Sequence, residues 1–306
     1  MPDTEKKELS QDQKICQNMD NIGRKILIMS GKGGVGKTTV TVNLANALLA
    51  LGHTVGVLDT DLHGPNVAKM FGCEDQILTQ APDGRINPVS PREGLKIVSL
   101  SFALNDPDEA VVFRGPMKLA VIKQFLADVA WGSLEYLLID SPPGTGDEQL
   151  AVCQNIPAMT GAVIVTTPQQ VAILDARRSV SFAAQLKLPI LGVIENMSYL
   201  LCPNCNTPIP LFGQGGGQEL CDQYGLKLLG QIPMEMELGQ KEDHGINCID
   251  DQESPSAKKF LEIAAELHQN TKPSCSADIG YVPKDSSCSP SSCATCTQDC
   301  PSKKNH

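Results

Sequence analysis

The octapeptide Gly31-Lys32-Gly33-Gly34-Val35-Gly36-Lys37-Thr38 constrains this chain more than any other segment, because it fits the G-x-x-x-x-G-K-[ST] pattern of a phosphate-binding loop. Its flanks suit that reading. Residues 25–30 are a short apolar run fit for a buried strand, and residues 38–51 carry Val42, Leu44, Ala45, Leu48 and Leu49 at helical spacing. Strand, glycine loop and helix is the order the motif needs. Glycines let backbone N–H groups turn toward phosphate oxygens, and the helix N-terminus adds the positive end of its dipole. Gly31, Gly33, Gly34, Val35, Gly36 and the following Thr39 belong to this nucleotide cradle. Lys37 is expected to reach the β- and γ-phosphates, and the Thr38 hydroxyl to ligate Mg²⁺.

The rest of the chain repeats the same alternation. Strand-like runs lie at 25–30, 54–59, 95–101, 135–140, 160–166, 189–195 and 226–232. Helical patterns lie at 38–51, 115–130, 147–155, 169–186 and 214–224. Hydrophobic residues make up 41% and aromatics only 4%, so the core must be built from Leu, Ile, Val, Ala and Met. This predicts an α/β protein with a doubly wound, mostly parallel sheet covered by helices on both faces. Residues 1–22 are polar and expected to be loosely held. Residues 23–270 are expected to form one phosphate-loop domain, with a turn-rich excursion at 73–94 and a last helix near 258–268. From 271 to 306 Ser, Pro, Asp and Cys dominate and no apolar period survives, so no packed core is expected there.

Charge and hydropathy exclude some classes. The net charge of −10 disfavours nucleic-acid backbones and anionic membranes, and basic residues never run longer than two. No run of eighteen apolar residues exists, and the opening Met1-Pro-Asp-Thr-Glu-Lys-Lys-Glu has no signal-peptide pattern. A cytoplasmic protein with no nucleic-acid or membrane partner is expected.

Lys32 narrows the class. The form G-K-G-G-V-G-K-T-T resembles the deviant phosphate loop of the MinD/Mrp group of ATPases. The resemblance implies that Lys32 crosses a dimer interface to the partner's nucleotide, where a cation would stabilise charge on the transferred phosphoryl group. Asp59-Thr60-Asp61-Leu62-His63-Gly64-Pro65-Asn66 follows the second strand and resembles the first switch of the Mrp/ApbC family. By that resemblance Asp61 orients or deprotonates the attacking water, and Asp59 supports Mg²⁺; a plain turn-forming role suits the same residues. The apolar 137–139 run ending in Asp140 looks like a Walker B strand, placing Asp140 near Mg²⁺. Asp147 fits either the second switch or a helix cap. In the same family the asparagine of Glu195-Asn196-Met197-Ser198 reads the adenine edge, which an amide can pair.

Twelve cysteines are many for a chain expected in a reducing compartment, where close pairs read as metal or redox sites. Cys202-Pro-Asn-Cys205 lies in a proline-broken insertion spanning 197–213. No second close pair sits nearby, so two thiolates are half of a four-cysteine site. A symmetric dimer would supply the other half, for a [4Fe–4S] cluster or a zinc ion. Cys288, Cys293, Cys296 and Cys300 could form a second metal site in the C-terminal stretch.

Residues 25–240 resemble the Mrp/ApbC iron–sulfur carrier ATPases, relatives of the eukaryotic cytosolic iron–sulfur scaffold ATPases. The matching pieces are the phosphate loop, D-x-D-x-x-G-P-N, D-S-P-P-G-T-G-D, T-T-P-Q at 166–169, E-N-M-S and C-P-N-C, in that order. No N-terminal four-cysteine motif accompanies them, and the small N-terminal domain of many bacterial members is missing. The resemblance implies a homodimer that binds Mg·ATP and hydrolyses it slowly. It implies a transient [4Fe–4S] cluster carried at the interface and delivered to apo iron–sulfur clients alongside assembly factors. Rival readings are a ParA/MinD-type positioning ATPase, a nitrogenase-reductase-like electron donor and a zinc-stabilised nucleotide switch.

Overall fold

A computed structural model describes residues 9–61, 64–103, 115–251 and 253–274. In chain order the elements begin with α1 (Gln11–Asp20), β1 (Ile22–Ser30), α2 (Lys37–Ala50), β2 (Val55–Asp59), α3 (Val67–Met70), β3 (Thr79–Gln80), β4 (Ile86–Asn87) and β5 (Leu95–Val98). The middle holds α4 (Gly115–Asp128), β6 (Leu134–Asp140), α5 (Asp147–Asn155), β7 (Gly161–Thr166), α6 (Gln170–Gln185) and β8 (Ile190–Glu195). Last come β9 (Leu200–Leu201), β10 (Pro208–Ile209), α7 (Gly216–Tyr224), β11 (Leu228–Gln231), α8 (Met236–Asp243) and α9 (Pro255–Asn270). All seven expected strand runs enter one sheet, ordered β11-β8-β7-β1-β6-β2-β5, with every pairing parallel.

The central strand shows why its sequence reads as a continuous apolar run. Ile26 and Ile28 point into a layer shared with α2 and α9, while Leu27 and Met29 point into the opposite layer with α1, α4 and α6. Both faces are covered, so alternation disappears. The chain leaves β1 toward β2 on one side and continues from β7 to β8 and β11 on the other. This leaves a crevice at the carboxyl ends of the central strands, where open α/β sheets bind ligands.

Two expectations about the ends change. Within the supposedly loose 1–22 stretch, α1 forms behind a capping box in which Gln13 N–H donates to Ser10 Oγ and Ser10 N–H to Gln13 Oε1. It buries Ile15, Cys16 and Met19, the first and last of them in the layer that includes α4. Its apolar stripe is too short to stand out among polar neighbours, although the S-x-x-Q spacing was a usable signal. At the other end, residues 271–274 belong to the fold. The fully buried Lys25 ammonium donates to the carbonyls of Met19 (3.2 Å), Ile22 (3.0 Å) and Ser274 (2.9 Å), joining α1, β1 and the C-terminal segment. Arg24 holds Thr271 in the same way, through its carbonyl and hydroxyl. The last helix starts at Pro255 rather than 258, capped by Ser254.

A histidine pair seals this end of the sheet. His53 and His268 stack with ring centroids 4.3 Å apart, and Tyr136 Oη lies 2.8 Å from His268 Nδ1. Burial, His53 and Arg24 hold His268 below its usual pKa, with Glu135 pulling the other way. The folded state therefore prefers neutral His268. Its contribution to stability is present above the ordinary histidine pKa and is lost as pH falls through the lowered one. The melting temperature of a His268→Asn variant is expected to fall less on acidification from neutral pH than that of the parent chain.

Candidate functional site

The phosphate loop is shaped by backbone conformations that only glycine adopts freely. Gly34 and Gly36 both have φ of +79°. Gly31 sits so close to α6 that a Cβ would lie 2.2 Å from the Asp175 carbonyl. The loop borders a cavity of about 510 Å³, whose walls include residues 32–39, Asp61, Asn66, Pro143 and Glu242.

Beneath the loop the two strand-end carboxylates lie side by side, because β2 pairs with β6 in a register that sets Asp59 against Asp140. Asp140 accepts from Lys37 Nζ, Thr38 Oγ1 and Thr41 Oγ1, each at 2.7 Å. Asp59 accepts from Ser99 Oγ and from the Asp61 N–H, both at 3.0 Å. Burial and the adjacent Asp140 push Asp59 well above the ordinary carboxylate range, against the pull of Lys37. Thr38 and Asp140 thus present two oxygen donors in contact, a set suited to a hard divalent cation such as Mg²⁺. Asp147 is the first residue of α5; the cap position belongs to Gly146.

Lys32 lines the cavity, its carbonyl held by Ser30 Oγ at 3.0 Å, and its ammonium has no hydrogen-bond or ion-pair partner among the described residues. Asn196 is nearly buried, and its Nδ2 donates to the Val35 carbonyl at 2.9 Å. In this arrangement the amide braces the loop with one N–H, and its Oδ1 and second N–H are left to pair an adenine edge.

The C-x-x-C does not lie in an irregular loop. Strands β9 and β10 pair antiparallel and carry Cys202 and Cys205 in the tight connection between them. Cys202 N–H donates to the Thr207 carbonyl (3.0 Å) and Asn206 N–H to the Cys202 carbonyl (2.8 Å), with Asn206 in the left-handed region at φ +56°. Asparagine tolerates that conformation. Cys205 is exposed and its Sγ lies 3.2 Å from Thr207 Oγ1. Hydrogen bonds from Thr207 and Cys202 hold the Cys205 thiol below its usual pKa, which favours the metal-binding thiolate. Cys288, Cys293, Cys296 and Cys300 lie outside the described residues.

Two residues that sequence reasoning missed organise this region. Fully buried Glu195 accepts from Ser198 Oγ, Gly217 N–H and Gln231 Nε2, so one carboxylate ties the hairpin's root to the start of α7 and to β11. Glu242 accepts from Asn43 Nδ2 (2.6 Å) and Thr39 Oγ1 (3.2 Å), fastening α8 to the helix behind the phosphate loop. Glu195 has one close partner, Ser198 in the E-N-M-S motif, while its other partners and both of Glu242's lie 22 to 203 residues away.

A glycine loop between β1 and α2, over carboxylates from β2 and β6, defines a P-loop NTPase. The chain belongs to the NUBPL iron-transfer P-loop NTPases of the ParA group, whose family model matches residues 21–268. It is 47% identical over 273 residues to the iron-sulfur cluster carrier protein of Methanocaldococcus jannaschii, covering 89% of this chain and 94% of that one. It is 42% identical over 281 residues to the cytosolic Fe-S cluster assembly factor cfd1 of Aspergillus clavatus, covering 83% and 87%. Among solved structures it resembles an ADP-bound nucleotide-binding protein from Archaeoglobus fulgidus, with a TM-score of 0.70, 37% identity and coverage of 82% and 96%. The cell division ATPase MinD of Pyrococcus furiosus shares the fold at a TM-score of 0.59 and 26% identity, with coverage of 81% and 99%. The family and the parallel-sheet architecture expected from the motifs are therefore those found. No described helix is long and apolar enough to cross a membrane.

Proposed function

We propose that this chain is a homodimeric cytoplasmic carrier that hydrolyses ATP slowly and holds a transient [4Fe–4S] cluster between two Cys202/Cys205 pairs. It would deliver the cluster to apo-proteins. The observation that carries this reading is the hairpin. It offers two thiols at an exposed tip, and no group of three or more ligating side chains stands elsewhere among the described residues. Two ligands per chain call for a second copy, and an isologous interface brings identical patches together. The names of the relatives support the same cargo.

Support for the dimer comes from the face beside the phosphate loop. Gly31 rests on α6, whose outer surface exposes Val171 and Leu174, and Lys32 extends from the same edge. Within the site, Thr38 and Asp140 would hold Mg²⁺, which supplies charge neutralisation at the phosphates. Asp59 would back Asp140, Asp61 on the cavity wall would orient water, and Lys37, bonded to Asp140 in the free chain, would turn to the phosphates; the register of β2 with β6 and the cavity lining support these roles.

The test is anaerobic reconstitution followed by iron and sulfide analysis. Cys202→Ser with Cys205→Ser is expected to lose nearly all cluster while binding ATP as the parent does, because the hairpin lies outside the cavity. Full reconstitution in that variant would overturn the interface site. The same measurement on a chain ending at Ser274, which keeps the Lys25 contact, tests whether Cys288, Cys293, Cys296 and Cys300 hold further metal or relay it. Equal iron and equal transfer to an apo-ferredoxin would leave those cysteines without a cluster role.

A further inference from the structure

The nucleotide cavity and the cysteine hairpin are joined by one short helix, α8, which neither site explains. Its two ends meet different functional parts. At the C-terminal end Gly245 packs backbone to backbone against Gly72, just past α3; a Cβ on Gly245 would lie 2.3 Å from Gly72 Cα. Both glycines have positive φ, +65° and +64°. Gly72 closes the segment 64–72, which lines the cavity through Gly64, Asn66, Lys69 and Met70. With no side chain at either contact, a shift of that segment has nothing flexible to absorb it.

In the last turn, nearly buried Glu242 takes the Thr39 hydroxyl and the Asn43 amide, while Cys248 Sγ lies 2.8 Å from Asn43 Oδ1. At the N-terminal end Glu235, the residue before α8, is pinned to the start of α9 by Ser254 Oγ (2.9 Å) and the Ser256 N–H. One residue earlier, Met234 N–H donates to the Tyr199 carbonyl at 2.7 Å, and Met234 bridges Leu200 of β9. Cys202 follows two residues later.

We propose that α8 transmits the nucleotide state to the cysteine hairpin, with Glu242 as the positioning residue that latches the helix in the nucleotide-free state. The proposal rests on the reading above for what occupies each site. The Thr39 hydroxyl has one proton to donate, and it can serve the Glu242 carboxylate or a phosphate oxygen, not both. A phosphate arriving at the loop also brings negative charge toward a buried carboxylate. Nucleotide therefore binds the latched and released positions of α8 with different free energy, the condition for shifting a two-state element. Because Glu235 pins the pivot, a tilt of α8 carries through Met234 to β9, which Cys202 directly follows.

The experiment uses the full-length chain, reduced and metal-free, so that it reads the thiols and not a cluster. Alkylation rates of Cys202 and Cys205 and hydrogen exchange over 199–209 are measured with and without saturating Mg·AMPPNP. In the parent chain nucleotide is expected to change the alkylation rate about fivefold or more, the low end of ordinary allosteric coupling. Glu242→Gln and Gly245→Ala, each shown to be saturated with AMPPNP, are expected to lose most of that response. The near-isosteric Gln keeps the fold if the Ala cannot be accommodated. A purely structural Glu242 would lower the melting temperature yet leave the nucleotide response intact, which overturns the proposal. So would a parent chain whose thiols ignore saturating nucleotide. A chain that shows the response but never retains iron would sink the carrier reading and leave this coupling standing.

Discussion

Lys37→Ala is expected to abolish nucleotide binding and also to lower the melting temperature of the nucleotide-free protein. The first effect follows from the phosphate loop itself. The second follows from what Lys37 does in the folded chain. Its ammonium is buried against Asp140 at 2.7 Å, and Asp140 stands beside the equally buried Asp59. Removing the lysine leaves two adjacent carboxylates with no cation, and breaking one side of a buried pair costs about 3–5 kcal/mol. Proton uptake relieves part of that cost, so the sign with pH is definite. Asp59 is already raised to about 8 in the parent with Lys37 pulling it down, so losing the lysine raises it further, and the deficit of the variant from this group grows as pH rises through about 8. Calorimetric melting of parent and variant at pH 6, 8 and 9, with titration calorimetry for ATP, measures both effects. Adding Asp140→Asn to Lys37→Ala should return much of the stability and none of the binding. Equal melting temperatures for parent and Lys37→Ala at pH 8 would mean that the ion pair is not formed in solution.

The second large effect belongs to Lys32 and Asp61. Lys32→Ala is expected to bind ATP yet hydrolyse it slower by about 10³, the low end for a cation supplied in trans in phosphate-loop systems. Its position supports this. The backbone is fixed by Ser30 and by Gly31 packed on α6, while the ammonium finds no partner in its own chain among the described residues. Asp61→Asn should likewise keep binding and slow turnover, because Asp61 lines the cavity while Lys37 and Thr38 are held by Asp140. Mixing the two variants gives a sharper result than either alone. In a mixed dimer one site has both a working Asp61 and a Lys32 from its neighbour, so activity should reappear on mixing. Hydrolysis by Lys32→Ala at the parent rate, or no recovery in the mixture, would remove Lys32 from the partner's site.

How the dimer is reached bears on both results. The apolar residues Val171 and Leu174 on α6, with Ile209, Leu211 and Phe212 after the cysteine turn, are exposed in the single chain. A carrier whose cluster is shared between copies needs such surface near its cysteines, and burying it contributes roughly 25 cal/mol per Å².

Local pattern alone determined the phosphate loop, the seven strand runs and most helices, because each is encoded by residues within a few positions of one another. Glycines at 34 and 36 announce left-handed backbone, and unbroken apolar runs announce strands covered on both faces. Six motifs in order, from the phosphate loop to C-P-N-C, named the family for the same reason, since each is a local run of residues. Tertiary structure decided the rest. Only the strand order sets Asp59 against Asp140, and only the packing of α8 brings Glu242 to Thr39 across 203 residues. The same holds for Lys25, which reads as a strand residue and proves to be a buried ammonium binding three carbonyls from both ends of the chain. These partners share no spacing, because burial makes a charged group take whatever polar atom the fold brings within reach, wherever it lies in the chain.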